Sequence, residues 1–482
     1  MTRTVETYEQ AVEYLYGRIN YELVHSERSG SHDFKLDRIA HLLDLLGSPH
    51  ERVPAVHIAG TKGKGSTASM VAEILRAAGY RVGLFTSPHV EAFEERMRVD
   101  GRTLSQSELV ELINEIGPSI AQMDRTPGRW KPTYFEITTA LAWRFFEQQQ
   151  VDVAVMEVGL GGRLDATNVC RPEVTLITSI SRDHTNLLGE SLEAIAEEKA
   201  GIVKPGIPMI CGAEPPGARR VVERICRRRR APLWQLDREI TVRWREGRGD
   251  CAGAASGRPA PVAAEIDVAT PSGRWHGVPV VLRGLHQARN AALAVAAVDA
   301  MRQRGWAIGT DAVRQGMVRV QCPLRIELLA ERPTVIVDAA HNWASIAALT
   351  ETISRGFTAR RRVLIFATAR DKDVAGHLRL LLPEFDTVIL TQYLGNPRAL
   401  PVGELLRICR SVSDRPVHWT SQPSQAWKLA RRVADAADLI CVTGSFFIAA
   451  ELRSMVLDNP PAGDPQTPGG EGVSGGASLA TR

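Results

Sequence analysis

The chain has 482 residues, 44% hydrophobic and 24% charged, with a net charge of +4; this is too long for one ordinary core and too weakly basic for a nucleic-acid footprint. Its cysteines (Cys170, Cys211, Cys226, Cys251, Cys322, Cys409, Cys441) are odd in number and show no CxxC or Cys/His spacing, which fits reduced thiols in a cytoplasmic protein and gives no support to a zinc site. No apolar run approaches the length that spans a bilayer, and MTRTVETYEQAVEYLYGRI at the start reads as an acidic amphipathic helix rather than a signal peptide.

Strand-like runs then alternate with helical patterns: VPAVHIAG (53–60), RVGLFT (81–86), VDVAVMEV (151–158), EVTLITS (173–179) and IPMICG (207–212). They are continuously apolar, as strands covered on both faces are, and predict an α/β fold with largely parallel sheets. Ser105 and Glu108 have capping-box spacing and open a helix over 105–116. In RRVVERICRRRR (219–230) the apolar residues recur at helical spacing, so the arginines read as a solvated helix face. Between 232 and 284, ITVRW, AEIDVAT and GVPVVLR read as antiparallel hairpins, with CAGAASGRPAP (251–261) as a loose loop tip. The helix HQARNAALAVAAVDAM follows. A second α/β unit starts near 320, with TVIVDAA (334–340), RVLIFATA (362–369), DTVILTQ (386–392), PVHWT (416–420) and DLICVTG (438–444). Beyond 457 the chain is rich in Pro, Gly and Ser, and disorder is expected.

Parallel α/β sheets bind ligands at the carboxyl ends of their strands, and there this sequence concentrates its polar residues. The first run ends in GTKGKGS, the second in TSPH (Ser87, His89), the third in Glu157 and VGLGGRLDATN, the fourth in SRDHT (Asp183, His184). The first run of the second unit ends in DAAHN (Asp338, His341, Asn342). A glycine-rich turn before a helix cradles phosphate through backbone N–H groups, with Lys64 as the point charge. The strict P-loop pattern would put glycine at Ile58 and a hydroxyl at Gly65. A magnesium ion, which takes a hydroxyl and a carboxylate, would therefore draw on Ser66, Thr67 or another strand end, with Ser87 and Glu157 as natural ligands. For His184 the spacing leaves open a ligand role or a supporting hydrogen bond.

GTKGKGS, TSPHVEAFEERMRVDG, TYFEITTALA, MEVGLGGRLDATN, TSISRDHTNLLG and EKAGIVKPG together resemble, in order, the folylpolyglutamate synthase/dihydrofolate synthase family of the Mur ligase group. In that group GTxGKGS is the P-loop itself. The resemblance implies a P-loop ATPase domain with a parallel sheet over 1–318 and a smaller Rossmann-like α/β domain over 319–457, which leaves 458–482 as the tail whose composition predicts disorder. It implies ATP contacts from Gly60, Thr61, Gly63, Lys64, Gly65, Ser66, Asn290, Arg325 and Asp338, and magnesium ligation by Ser87, Glu157 and His184. Lys199 aligns with a lysine that many members carbamylate to hold a second metal. The pterin is implied against Lys35, Leu36 and Asp37, against Thr133, Tyr134, Phe135 and Glu136, and against Leu164, Asp165 and Ala166, with His341 near the amine acceptor. Lys64, Lys199 and His341 are thus the implied catalytic residues.

Two departures stand out: QCPLR around Arg325 where the family reads close to PGR, and Trp343 in place of proline after DAAHN. Trp343 is expected either to wall the acceptor pocket or to pack between helix and sheet. The implied activity is ATP-dependent, ADP-forming addition of L-glutamate to dihydropteroate or folate, by a cytoplasmic monomer with neither nucleic-acid nor membrane partner. A P-loop switch or a catalytically silent folate-binding homologue are the alternatives.

Overall fold

The computed structural model describes residues 4–20, 36–127, 130–246 and 262–459; Lys35, the 251–261 tip and the tail beyond 459 lie outside them. The five apolar runs of the first half all become strands: β1 Ala55–Ala59, β2 Val82–Phe85, β5 Val153–Glu157, β6 Pro172–Ile177 and β7 Met209–Cys211. Three strands that the sequence reading did not identify, β3 Met97–Val99, β4 Arg102–Thr103 and β8 Leu233–Gln235, complete an eight-stranded sheet. Its order is β4-β3-β2-β5-β1-β6-β7-β8. The run from β2 to β8 is parallel, while β3 and β4 form an antiparallel edge. They are short, and their alternating or polar residues carry no continuous apolar signal.

β1 sits inside this sheet and is wholly buried. Val56 and Ile58 enter one core with the Lys64–Ala77 helix, whereas Ala55 enters the opposite core with the Gln106–Arg125 and Tyr134–Gln148 helices. The Gln106–Arg125 helix opens on the expected Ser105–Glu108 capping box but runs nine residues past the expected end at 116, through Pro118. Pro118 has no N–H for the Asn114 carbonyl. Ile120 and Met123 are nevertheless buried beyond it, and that burial outweighs the missing bond.

Three antiparallel strands, β9 Thr241–Glu246, β10 Ala264–Thr270 and β11 Gly273–Val280, form the expected hairpin sheet in the order β11-β10-β9. The alanine-rich Leu285–Gln303 helix shares one core with this sheet and the large one, which explains why it is apolar almost all round. The arginine-rich segment is the Pro216–Arg229 helix, whose Val221, Val222, Ile225 and Cys226 are buried.

A separate six-stranded sheet, β12-β13-β17-β14-β15-β16, holds all five apolar runs of the second half. They are β13 Thr334–Val337, β14 Arg362–Phe366, β15 Thr387–Leu390, β16 His418–Trp419 and β17 Leu439–Thr443. β12 Glu327–Glu331 is an additional antiparallel edge strand. No helix among the described residues is long and apolar enough to cross a membrane.

The Thr310–Arg319 helix crosses the Lys64–Ala77 helix at Gly316, where an added Cβ would lie 2.5 Å from Ile74 Cα. Helix propensity favours alanine there by about 1 kcal/mol, but the obstacle is backbone, and overpacking costs about 1–3 kcal/mol. Gly316→Ala should therefore lower stability in a denaturant titration, by about 1–2 kcal/mol net; an unchanged midpoint would show that the crossing can open freely.

Candidate active site

The turn between β1 and the Lys64–Ala77 helix is built for close approach. An added Cβ on Gly60 would stand 1.8 Å from Thr178 Oγ1. Gly63, the residue before the helix, has φ +84°, and a Cβ there would meet Asn290 Oδ1 at 2.4 Å. At Gly65 the neighbour is the Glu157 carboxylate, 3.3 Å from the added atom. The missing hydroxyl at 65 thus leaves room for the acid at the end of β5.

The end of β6 holds the turn in place. Thr61 N–H donates to the Ser179 carbonyl (2.8 Å) and Lys62 N–H to Ser179 Oγ (3.0 Å), while Thr178 Oγ1 donates to the Lys62 carbonyl (2.6 Å). Two ammonium groups then converge on one carbonyl: Lys64 Nζ lies 3.2 Å and Lys199 Nζ 2.9 Å from Gly60 O. Lys199 is 4% exposed, and burial, reinforced by the Lys64 charge, lowers its pKa to about 7.

Glu157 is also buried. Burial raises its pKa, opposed by the Lys64 charge and by the Ser87 N–H, which reaches Oε2 at 3.2 Å. A buried carboxylate that accepts the Ser87 N–H, beside a hydroxyl residue and a phosphate-type turn, suits a hard cation. Ser87, Glu157 and His184 line the same cavity, of about 1600 Å³. Among the described residues no three His, Cys, Asp or Glu groups form a ready-made metal cage, so the remaining ligands would have to be water and phosphate oxygens.

The second sheet closes the cavity from across the cleft. Lys62 Nζ bridges the two halves, 2.9 Å from Asp183 Oδ2 and 2.8 Å from His341 Nε2. His341 Nδ1 is 2.9 Å from the Ala339 carbonyl, which can only accept. The ring therefore carries its proton on Nδ1 and offers Nε2 to the ammonium. Burial, then the Lys62 charge, keep His341 neutral by lowering its pKa well below the usual value. Burial alone would raise Asp183, but Lys62, His184, His341 and Lys372 hold its pKa well below the carboxylate range. Lys62 and Lys372 were not singled out from the sequence. Lys62 sat inside GTKGKGS, and Lys372 follows the end of β14, so the strand-end rule would have found it.

All nine expected ATP-contact residues line this cavity. Ser66 Oγ lies 3.4 Å from Gln287 Nε2 and 3.7 Å from Cys322 Sγ. The Asp338 carboxylate accepts the N–H groups of Ile326 and Ala340, both at 2.8 Å. It anchors the loop that carries Arg325, itself a cavity residue.

Thr133, Phe135, Glu136, Leu164, Asp165 and Ala166 line the cavity too. Glu136 is already engaged, by the Arg38 guanidinium (3.0 Å) and by the N–H and hydroxyl of Thr133 in a capping box. Leu36, Asp37 and Tyr134 are not lining residues; Arg38 and Tyr16 stand in their place. Tyr134 is fully buried and stacks behind Tyr16, ring centroids 5.5 Å apart. Trp343 starts the Trp343–Gly356 helix, is 59% exposed and is not a lining residue of the cavity, which overturns both the expectation of packing between helix and sheet and that of a pocket wall.

One further support lies beneath the loop of Leu164, Asp165 and Ala166. Buried His57, on β1, is 2.8 Å from Thr167 Oγ1, which donates to Asp165 Oδ1 at 2.5 Å. Burial lowers the His57 pKa to about 3, so a neutral imidazole donates into this relay.

The Mur ligase middle domain matches residues 58–298, and the Mur ligase glutamate ligase domain matches residues 324–446. The chain is 32% identical over 454 residues to the dihydrofolate synthase/folylpolyglutamate synthase of Bacillus subtilis, covering 93% of this chain and 99% of that protein. The chain belongs to the folylpolyglutamate synthase/dihydrofolate synthase family of Mur ligases. Its Mycobacterium tuberculosis relative of the same description is 39% identical over 387 residues, covering 77% of each chain. The structure of Mycobacterium tuberculosis folylpolyglutamate synthase complexed with ADP and AMPPCP superposes with a TM-score of 0.81 at 34% identity, over 95% of this chain and 99% of that one. E. coli FolC in complex with DHPP and ADP gives 0.79 at 30% identity, over 95% and 99%. This family member is accordingly an ATP-dependent, ADP-forming amide ligase, and the switch and silent-homologue alternatives are not favoured.

In this ligase Gly63 meets two constraints at once, a left-handed backbone costing other residues about 1–2 kcal/mol and the contact with Asn290. Gly63→Ala should weaken ADP binding about tenfold or more in calorimetry, the equivalent of about 1.4 kcal/mol. Unchanged affinity would mean that the turn is not the phosphate site.

Proposed function

We propose that this ligase adds L-glutamate both to dihydropteroate and to reduced folates, and that the residues gathered in the cavity do so in the roles the family implies. The observation that carries the reading is the convergence of Lys64 and Lys199 on Gly60 O, beside buried Glu157 and facing the Lys62–His341 bridge. The backbone N–H groups of Gly63, Lys64, Gly65 and Ser66, at the start of the helix, and the Lys64 ammonium bind the ATP phosphates. The pterin lies along the wall of Phe135, Leu164, Asp165 and Ala166, with its carboxylate directed at the γ-phosphate. The Asp165 carboxylate is fixed for this by the N–H of Leu160 (2.9 Å) and by Thr167.

Attack of the substrate carboxylate on the γ-phosphate releases ADP and leaves an acyl phosphate. The glutamate amine then displaces phosphate to form the amide. The protein supplies positioning and a water-poor, positively charged setting rather than covalent chemistry. Ser87, Glu157 and His184 would hold magnesium, which supplies charge stabilisation on the transferring phosphoryl group. His341, neutral and with Nε2 facing the cleft, orients the acceptor side once Lys62 turns to phosphate.

Lys199 fits carbamylation, since carbon dioxide reacts only with a neutral amine and a pKa of about 7 leaves about half the groups neutral at pH 7. A carbamate there would carry a second magnesium. The reading also takes the chain as a cytoplasmic monomer divided into 1–318 and 319–457.

Assayed with magnesium, ATP and glutamate, the pure protein should release ADP with dihydropteroate and with tetrahydrofolate, each only when glutamate is present. Glu157→Gln should lose that turnover at ordinary magnesium concentrations. ADP release that needs no pterin would sink the ligase roles.

The Lys199 reading has its own readout in carbon-13 NMR with labelled bicarbonate. A carbamate resonance should appear, weaken as the pH falls below about 7 and the amine protonates, and vanish in Lys199→Ala. Its absence at pH 8 would leave Lys199 as a plain cation against Gly60 O.

A further inference from the structure

A second cavity, of about 1180 Å³, lies against the Glu73–Arg76 part of the P-loop helix, away from the phosphate turn. Its other walls are β2, β3, β11 and the end of the Thr310–Arg319 helix. Four guanidinium groups line it: Arg76, Arg98, Arg314 and Arg319. Arg76 pairs with Glu73 at 3.0 Å, and Arg314 donates to the neutral carbonyl of His276 at 2.9 Å. Arg98 and Arg319 have no hydrogen-bond or ion-pair partner among the described residues, and the Arg98 Nε–H is buried without one.

The carboxylates nearby do not balance this charge. Glu73 faces the charges of Arg76, Arg319 and Arg98 together. Asp100 is exposed and accepts the Val82 N–H at 2.9 Å, and Glu265 is turned to Arg245 at 3.9 Å. Buried donors in native proteins are almost always satisfied, and guanidinium forks match carboxylate and phosphate oxygens. Beside them, Val82, Leu84 and Val320 offer apolar wall.

We propose that this cavity binds a small organic oxyanion, a carboxylate or a phosphate monoester, held by Arg98 and Arg319 with its apolar body against Val82, Leu84 and Val320. The site has a route to the ATP cavity. Arg319 ends its helix, and the segment after it passes Cys322, 3.7 Å from Ser66 Oγ, to Arg325. An occupant gripping Arg319 fixes the start of the segment that joins the two sheets.

The test is calorimetry on the full chain with the ATP cavity saturated by magnesium and AMPPCP, so that an added oxyanion cannot bind at the P-loop. Phenyl phosphate and benzoate are the probes, and the tighter of the two assigns the phosphoryl or the carboxylate class. Saturable binding to the wild type should weaken about tenfold or more in Arg98→Gln and in Arg319→Gln, as loss of a charge-assisted pair predicts, while AMPPCP affinity stays as in the wild type. Arg319 is exposed at a helix end, so Arg319→Gln keeps the test valid if Arg98→Gln folds poorly. Failure of both probes to bind the wild type, or equal binding by Arg319→Gln, overturns the proposal. Neither result bears on the ligase reading, which is read from ADP release alone.

Discussion

The ligand cavity depends on one turn having no side chains where strands and helices converge on it. Between β1 and its helix the chain passes so close to Thr178, Asn290 and Glu157 that Gly60, Gly63 and Gly65 have little or no room for a Cβ. Hydrogen bonds from Thr178 and Ser179 then hold the backbone of Thr61 and Lys62. Because Thr61 and Lys62 are held from outside, the turn is fixed with the N–H groups of Gly63 to Ser66, at the open start of the helix, left for a ligand. It also explains the departure from the strict P-loop. A hydroxyl residue at position 65 would crowd the acid that completes the site.

The same compactness sets the electrostatics. Lys64, Lys199 and Lys62 occupy one small region, and burial of all that positive charge is tolerable only with Asp183 and Glu157 beside it. Lys199, which has a carbonyl rather than a carboxylate as its hydrogen-bond partner, bears much of the penalty in its lowered pKa. Lys62 and His341 carry the network across the cleft, so the two sheets meet at the same group of charges that surrounds the glycine turn.

Much of the architecture was legible in the sequence because strands buried on both faces are apolar without interruption. Nine of the ten runs are buried strands, the exposed edge strand β16 being the exception, and the polar ends of β1, β2, β5, β6 and β13 mark the cavity. The edges were not legible. β3, β4, β8 and β12 are short or half-polar, and their pairing rests on neighbours distant in sequence rather than on their own composition. The Gln106–Arg125 helix extends past the expected 116 for a related reason: it runs through a local breaker, Pro118, on burial of Ile120 and Met123 that no local pattern encodes.

At the site, the sequence by itself determined the residue types and the strand ends on which they stand: a glycine turn, Lys64, Glu157, Asp183, His184, His341. These follow from periodicity and from where loops begin, which are local properties. Tertiary structure alone decided the partners. Arg38 rather than Asp37 reaches the cavity, Tyr134 lies behind Tyr16, His57 supports Asp165 through Thr167, and Trp343 stands in the open. Each depends on which face of a helix or strand is covered and by what. A side chain's direction is set by packing between segments a hundred residues apart, and a linear pattern carries the period of a helix or strand but not the identity of the surface that will cover it.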